Sequence, residues 1–148
     1  MDFNDFKFEA SALERQLGVR RIDFNAAVSK LLDAAEHWES IGQHHLGKIV
    51  SINAVREENR IDGQVLGKNF SIRYAAFGLE GEGILEASLS IQDLASGKNT
   101  EIRRFLISRN GTFLSLGGQE LVSRDDPESA YKILLAIVQS VMTASSKL

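Results

Sequence analysis

Six runs of alternating apolar and polar residues fill most of the chain between Lys48 and Leu116, at 48–55, 60–66, 69–77, 83–94, 100–108 and 112–116. Only short turn-forming sequences separate them: REEN, GKN, GLEGEG, SGKN and RNG. Parallel pairing needs a crossover of about a dozen residues or more, which none of these connections supplies, so the runs must form an antiparallel meander. The last hairpin is the best marked. EIRRFLIS and TFLSL meet across Asn110-Gly111, and Asn-Gly accommodates the positive φ angles of a type I′ turn, whose twist matches that of paired strands. The following GGQELVS can add a short seventh strand through Gly117-Gly118.

Helical patterns flank this region. Phe3, Phe6, Ala10, Leu13 and Leu17 are spaced like one helix face, Ser11 and Glu14 make a capping box, and Gly18 reads as the stop. Alternatively Phe6 and Phe8 belong to a short strand and the helix begins at Ser11. Asp23 then caps a second helix, whose Phe24, Val28, Leu31, Ala35 and Trp38 form one apolar stripe ending near Gly42 or Gly47. Lys30, Asp33, Glu36, His37, Ser40 and His44 fall on its opposite side. Asp126 before Pro127 starts a C-terminal helix reaching about Ala144. Its Ile133, Leu134, Ile137, Val141 and neighbouring apolar residues predict the most buried helix.

The expected fold is therefore α+β: N-terminal helices, a six-stranded antiparallel meander sheet, and a long C-terminal helix packed on one face of the sheet. The 148 residues suit one domain, and a single proline with no Gly/Ser-rich tract marks no linker. With no cysteine, disulfides, thiolate metal sites and a Cys nucleophile are excluded. The acidic start MDFNDFKFEAS lacks the apolar run of a signal peptide, and the longest apolar stretch, residues 133–138, is far short of a membrane span. A net charge of −3 disfavours a broad nucleic-acid surface. These features predict a soluble cytoplasmic protein that binds neither membrane nor nucleic acid.

Familiar chemistry is missing from the motifs. His37 and His44 lie two helical turns apart, about 10 Å, too far to share one metal ion, and His45 adds no H-E-x-x-H pattern. Carboxylates within G-L-E-G-E-G, Gly78 to Gly83, would repel a phosphate. Gly67-Lys68-Asn69 and Gly97-Lys98-Asn99 lack the Ser/Thr of a phosphate loop. Both belong to a repeat, G-K-N-x-x-I-R, that places Ile72 inward but Ile102 outward unless a bulge at Arg103 and Arg104 reverses the facing. No cofactor or metal is expected.

What remains is a question of coverage. Six strands at about 4.8 Å spacing are wider than two long helices and one short one, each about 10 Å across, can roof on both sides, so one face stays open. A two-residue turn would pair Ser108 with Phe113 and Ile107 with Leu114, setting Leu106 and Phe113 beside Arg104 on that open face. Arginines in or beside strands, Arg73, Arg103 and Arg104 among them, can bind an acidic partner or form cross-strand ion pairs with neighbouring glutamates. The candidate binding residues are thus Leu106, Phe113, Arg104, Arg73 and Arg103. The functional expectation is a non-catalytic protein-binding module, of adaptor, chaperone or inhibitor type, whose partner is another protein or a second copy of itself. The alternative is a carrier of a small apolar ligand. If residues 5–9 were a strand, the element order would resemble the helix-grip architecture, in which a curved sheet wraps a C-terminal helix around a cavity.

Overall fold

The computed structural model describes residues 1–79 and 81–145; Glu80, within the Gly78 to Gly83 turn, lies outside them. A short 3-10 turn, Phe3–Phe6, precedes helix α1, Ala10–His44. The sheet follows as β1 (Val50–Val55), β2 (Arg60–Val65), β3 (Lys68–Leu79), β4 (Glu82–Gln92), β5 (Asn99–Ile107), β6 (Phe113–Leu114) and β7 (Glu120–Val122), and helix α2 (Ser129–Thr143) closes the chain. The fold is α+β. All seven strands pair antiparallel in sequence order, so the meander holds and gains the short seventh strand that Gly117-Gly118 suggested.

The N-terminal region departs from expectation. One helix replaces two, and it runs through Gly18 and Asp23 without a break. Glu9 rather than Ser11 caps it, its carboxylate accepting from the backbone N–H of Ser11 at 3.1 Å and of Ala12 at 2.7 Å. These bonds hold the Glu9 carboxyl below its ordinary pKa. Asp23 is buried inside the helix. Its carboxylate accepts from Gly83 N–H at 3.2 Å and pairs with Arg109 at 3.5 Å, so it ties α1 to β4 and to the β5–β6 turn instead of starting a helix. Gly83 permits this approach, because a Cβ there would collide with the Arg20 backbone. Phe6 is in the 3-10 turn, so residues 5–9 supply no strand and the helix-grip order is not formed.

Both helices pack on one sheet face. Ala27, Leu31, Ala35 and Trp38 of α1 and Ile133, Leu134, Ile137 and Val141 of α2 join Ile61, Ile72, Leu85, Leu89 and Ile91 in a single core. Trp38 locks the helices together, its indole N–H donating to the Ala130 carbonyl at 2.8 Å. Lys68 reaches from β3 to the end of α2, donating to the carbonyls of Val141 and Ala144 at 2.6 and 2.5 Å, where a cation opposes the negative end of the helix dipole. The helix begins slightly later than Pro127. Glu128, not Asp126, takes the N-cap position, and no side chain bonds there; Asp126 instead braces the preceding turn, accepting from Glu128 N–H at 2.8 Å and from the Lys132 ammonium at 2.6 Å. Only one side of α2 is buried; Tyr131, Leu135 and Met142 face outward, so it is less enclosed than its composition predicts.

Turn chemistry corrects the last hairpin. A type I′ turn needs positive φ at both central residues. That condition is met at Leu66 (φ 50°) and Gly67 (φ 79°) between β2 and β3, whereas of Asn110 and Gly111 only Gly111 is positive, at 88°. Ser108 accepts from Gly111 N–H at 3.0 Å and donates its own N–H to Thr112 O at 3.0 Å, which is a type I turn closed by a left-handed glycine. The extra residue shifts the register by one: Ile107 pairs with Phe113 and Leu106 with Leu114. A second irregularity lies in β5. Leu89 pairs with Arg103 and Ser90 with Glu101, leaving Ile102 as the bulged residue, one position before the predicted bulge. Ile102 accordingly packs against the core, on the same side as Ile72.

Candidate functional site

The face that the helices leave uncovered is a lattice of polar side chains, and the strand register gives its rows. One row runs Arg60, Arg73, Ser88, Arg104 across β2 to β5; the next runs Asn53, Asp62, Ser71, Ser90, Glu101 across β1 to β5. A third begins Ser51, Gln64, Asn69, and Asn69 donates to Gln92 at 3.2 Å. Alternation explains the composition. Each of these residues sits one position from an apolar residue of the core side, such as Ile52, Ile61, Phe70, Ile72 or Leu89, and so points to the other side. The β1 to β3 part of these rows lines an open groove of about 670 Å³, with Ser51, Asn53, Asp62, Gln64, Asn69, Ser71 and Arg73 on its walls together with Asn99.

Most of these groups satisfy one another. Arg60 pairs with Glu58 and with Asp62, the latter at 3.0 Å. Asp62 also accepts from the Ser71 hydroxyl at 2.9 Å. Arg104 contacts Glu101 at 2.5 Å and Glu86 at 3.6 Å, and the Ser88 hydroxyl donates to Glu101 at 2.5 Å. The Arg104 guanidinium, and after it the Ser88 hydroxyl, holds the Glu101 carboxyl below the usual carboxylate range. Arg73 is the exception. It is exposed, it stands between the two paired arginines directly opposite Arg60, and it forms no ion pair or side-chain hydrogen bond with any described residue.

The five residues singled out from the sequence are therefore dispersed. Arg73 and Arg104 share the open face. Leu106 lies on that face as well, yet it is 0% exposed, beside the equally enclosed Ile84 (3%). Phe113 turns to the helix side because of the register shift, where its ring stacks on Phe105 at a centroid distance of 4.4 Å. Arg103 stands opposite core residue Leu89 and donates to its neighbour's carbonyl, Ile102 O, at 2.7 Å. The residues missed were Ser51, Asn53, Asp62, Gln64, Asn69 and Ser71. Their signal was the polar half of the alternation in β1 to β3, which a search for apolar groups overlooks.

His37, His44 and His45 are exposed, and among the described residues no group of three or more potential ligands converges on a metal position. No described helix is long and apolar enough to cross a membrane. Comparison with protein-family models, with curated proteins and with solved structures finds no match.

Proposed function

We propose that the chain is a cytoplasmic, non-catalytic protein-binding module, of adaptor, chaperone or inhibitor kind, which takes an acidic segment of its partner into the groove on the open sheet face. Arg73 carries this reading. Like charges directly opposite on neighbouring strands are destabilising, and Arg60 and Arg104 are each relieved by two carboxylates while Arg73 has none among the described residues. A carboxylate from outside would complete the row through a bidentate pair. The surrounding Asn, Gln and Ser side chains offer donors and acceptors to an extended backbone. Glu101, whose pKa is shifted on this face, is pushed further toward its ionised form, the opposite of what a general acid requires.

The carrier reading finds less support. Between the sheet and α2, the space bounded by Leu89, Phe105, Phe113 and Ile137 is an open cleft of about 180 Å³, below the roughly 300–1,000 Å³ of ordinary ligand pockets. The test of the binding module is capture. Wild-type protein and the Arg73→Glu variant are immobilised, exposed to native lysate and compared by quantitative mass spectrometry. The expected outcome is a partner enriched at least about tenfold on wild type, and retained by a control variant in an exposed turn, Lys98→Glu. Identical capture by wild type and Arg73→Glu contradicts the proposal.

A further inference from the structure

Along the strands the open face changes character from row to row. The row through Arg60, Arg73 and Arg104 is basic. The next is acidic, with Asp62 on β2 and Glu101 on β5 set among Asn53, Ser71 and Ser90. The third, Ser51, Gln64, Asn69, Gln92 and Asn99, carries amides and a hydroxyl and no charge. A strand rises about 3.3 Å per residue, so on β2 and β3 the basic row and the neutral row are about 13 Å apart.

The groove runs the same way. Arg60 and Arg73 wall one end, Asn53, Asp62 and Ser71 its middle, and Ser51, Gln64, Asn69 and Asn99 the other end. An extended chain fits this shape. Its side chains alternate, so over about 13 Å the first, third and fifth residues face the sheet while the second and fourth face water. Each row makes a different demand on the residue above it. Arg73 has no ion pair among the described residues, and a carboxylate would complete it. Asp62 is already matched, by Arg60 at 3.0 Å and by the Ser71 hydroxyl at 2.9 Å, so it accepts a neutral neighbour and repels a second carboxylate. Over Gln64 and Asn69 only an uncharged hydrogen-bonding side chain finds complementary groups.

We infer that the groove selects by position as well as by charge: it takes an extended five-residue stretch with a carboxylate at the end over Arg73, no acid at the middle residue over Asp62, and an amide or hydroxyl at the end over Gln64 and Asn69. This rests on the binding of an acidic segment proposed above and adds the order of its residues. Slipping the stretch by two residues carries its carboxylate from beside Arg73 to beside Asp62, so one charge, attracted at one row and repelled at the next, fixes the register of the whole segment.

Three capped peptides of one composition test it: acetyl-Glu-Ala-Ser-Ala-Gln-amide, its reverse acetyl-Gln-Ala-Ser-Ala-Glu-amide, and acetyl-Ser-Ala-Glu-Ala-Gln-amide, with the acid in the middle. The first two cover both directions in which the stretch can run along β3. Each is titrated to about 10 mM into isotopically labelled full-length protein, and the amide shifts of Asn69, Ser71 and Arg73 give the dissociation constant. The better of the two end-acid peptides is expected to bind at least about tenfold more tightly than the middle-acid peptide. Arg73→Glu abolishes that advantage, and Asp62→Asn, confirmed as folded by circular dichroism, narrows it by strengthening the middle-acid peptide. Equal binding of all three that is lost in Arg73→Glu overturns the positional inference and leaves the acidic-segment reading standing. Equal binding that ignores Arg73→Glu overturns both. A tighter middle-acid peptide, or no binding by any of the three, overturns the inference, and the lysate capture then decides the reading by itself.

Discussion

Ile61, Ile72 and Leu89 stand in one row across β2, β3 and β4; one residue along each strand, Arg60, Arg73 and Ser88 stand in a row on the other side. The first row is buried under both helices and the second is open. On the helix face stability comes from apolar area removed from water, which is non-directional and tolerates no unpaired polar group. On the open face it comes from pairs, and pairs can be counted. In the row Arg60, Arg73, Arg104 the two outer arginines are matched by carboxylates, and Arg73 alone of the three has no ion pair among the described residues. The comparison teaches where to look for function: a face that satisfies itself needs no partner, and the one group left over marks where a partner would add something.

The largest effect that separates the faces is expected from Trp38→Ala. The indole is 1% exposed and its N–H is bonded to Ala130, so its loss costs about 3–5 kcal/mol, read as a lowered urea midpoint. A cost below about 1 kcal/mol would mean that α2 is not held by this contact. On the open face, Ser71→Ala removes the hydroxyl bonded to Asp62. The expected loss is about 1 kcal/mol, and a cost equal to that of Trp38→Ala would break the distinction between the faces. Smaller still is the acid dependence of the Glu101 cluster. With its folded pKa lowered chiefly by Arg104, Glu101 binds a proton more readily when unfolded. Its contribution is complete above the ordinary value of about 4.3 and fades as pH falls through the folded one. Wild-type stability should therefore decline more steeply than that of Glu101→Gln below about pH 4. Parallel pH profiles for the two proteins would show that the cluster adds nothing.

The sheet was legible because alternation and short connections leave a meander no alternative, and the bounds of β1 to β5 follow the first five of the six runs closely. The candidate site was not, and the reason is one residue. Asn110-Gly111 satisfies two turn geometries, a type I′ turn or a type I turn with a left-handed glycine, and local sequence does not choose between them. The choice moved Phe113 across the sheet to Phe105. Leu66, which carries no turn signal, took the left-handed conformation instead. Gly18 and Asp23 misled in a similar way. Each is a common helix boundary, yet Gly18 is carried through the helix and the Asp23 carboxylate is drawn to Gly83 and Arg109, partners about sixty and more residues away that no local pattern reveals. Ion pairs around Arg104 were readable from glutamates on adjacent runs. That Arg73 would be left without one was not, because it depends on which carboxylates reach Arg60.

If the fold has no use for the charge on Arg73, reversing it will cost nothing. Urea unfolding of Arg73→Glu measures this directly. The account predicts a midpoint equal to or above that of wild type, since the change replaces an arginine–arginine juxtaposition across β2 and β3 by an attractive one. A loss of more than about 1 kcal/mol would make Arg73 part of what holds the sheet together, and the open groove would lose its claim to a partner.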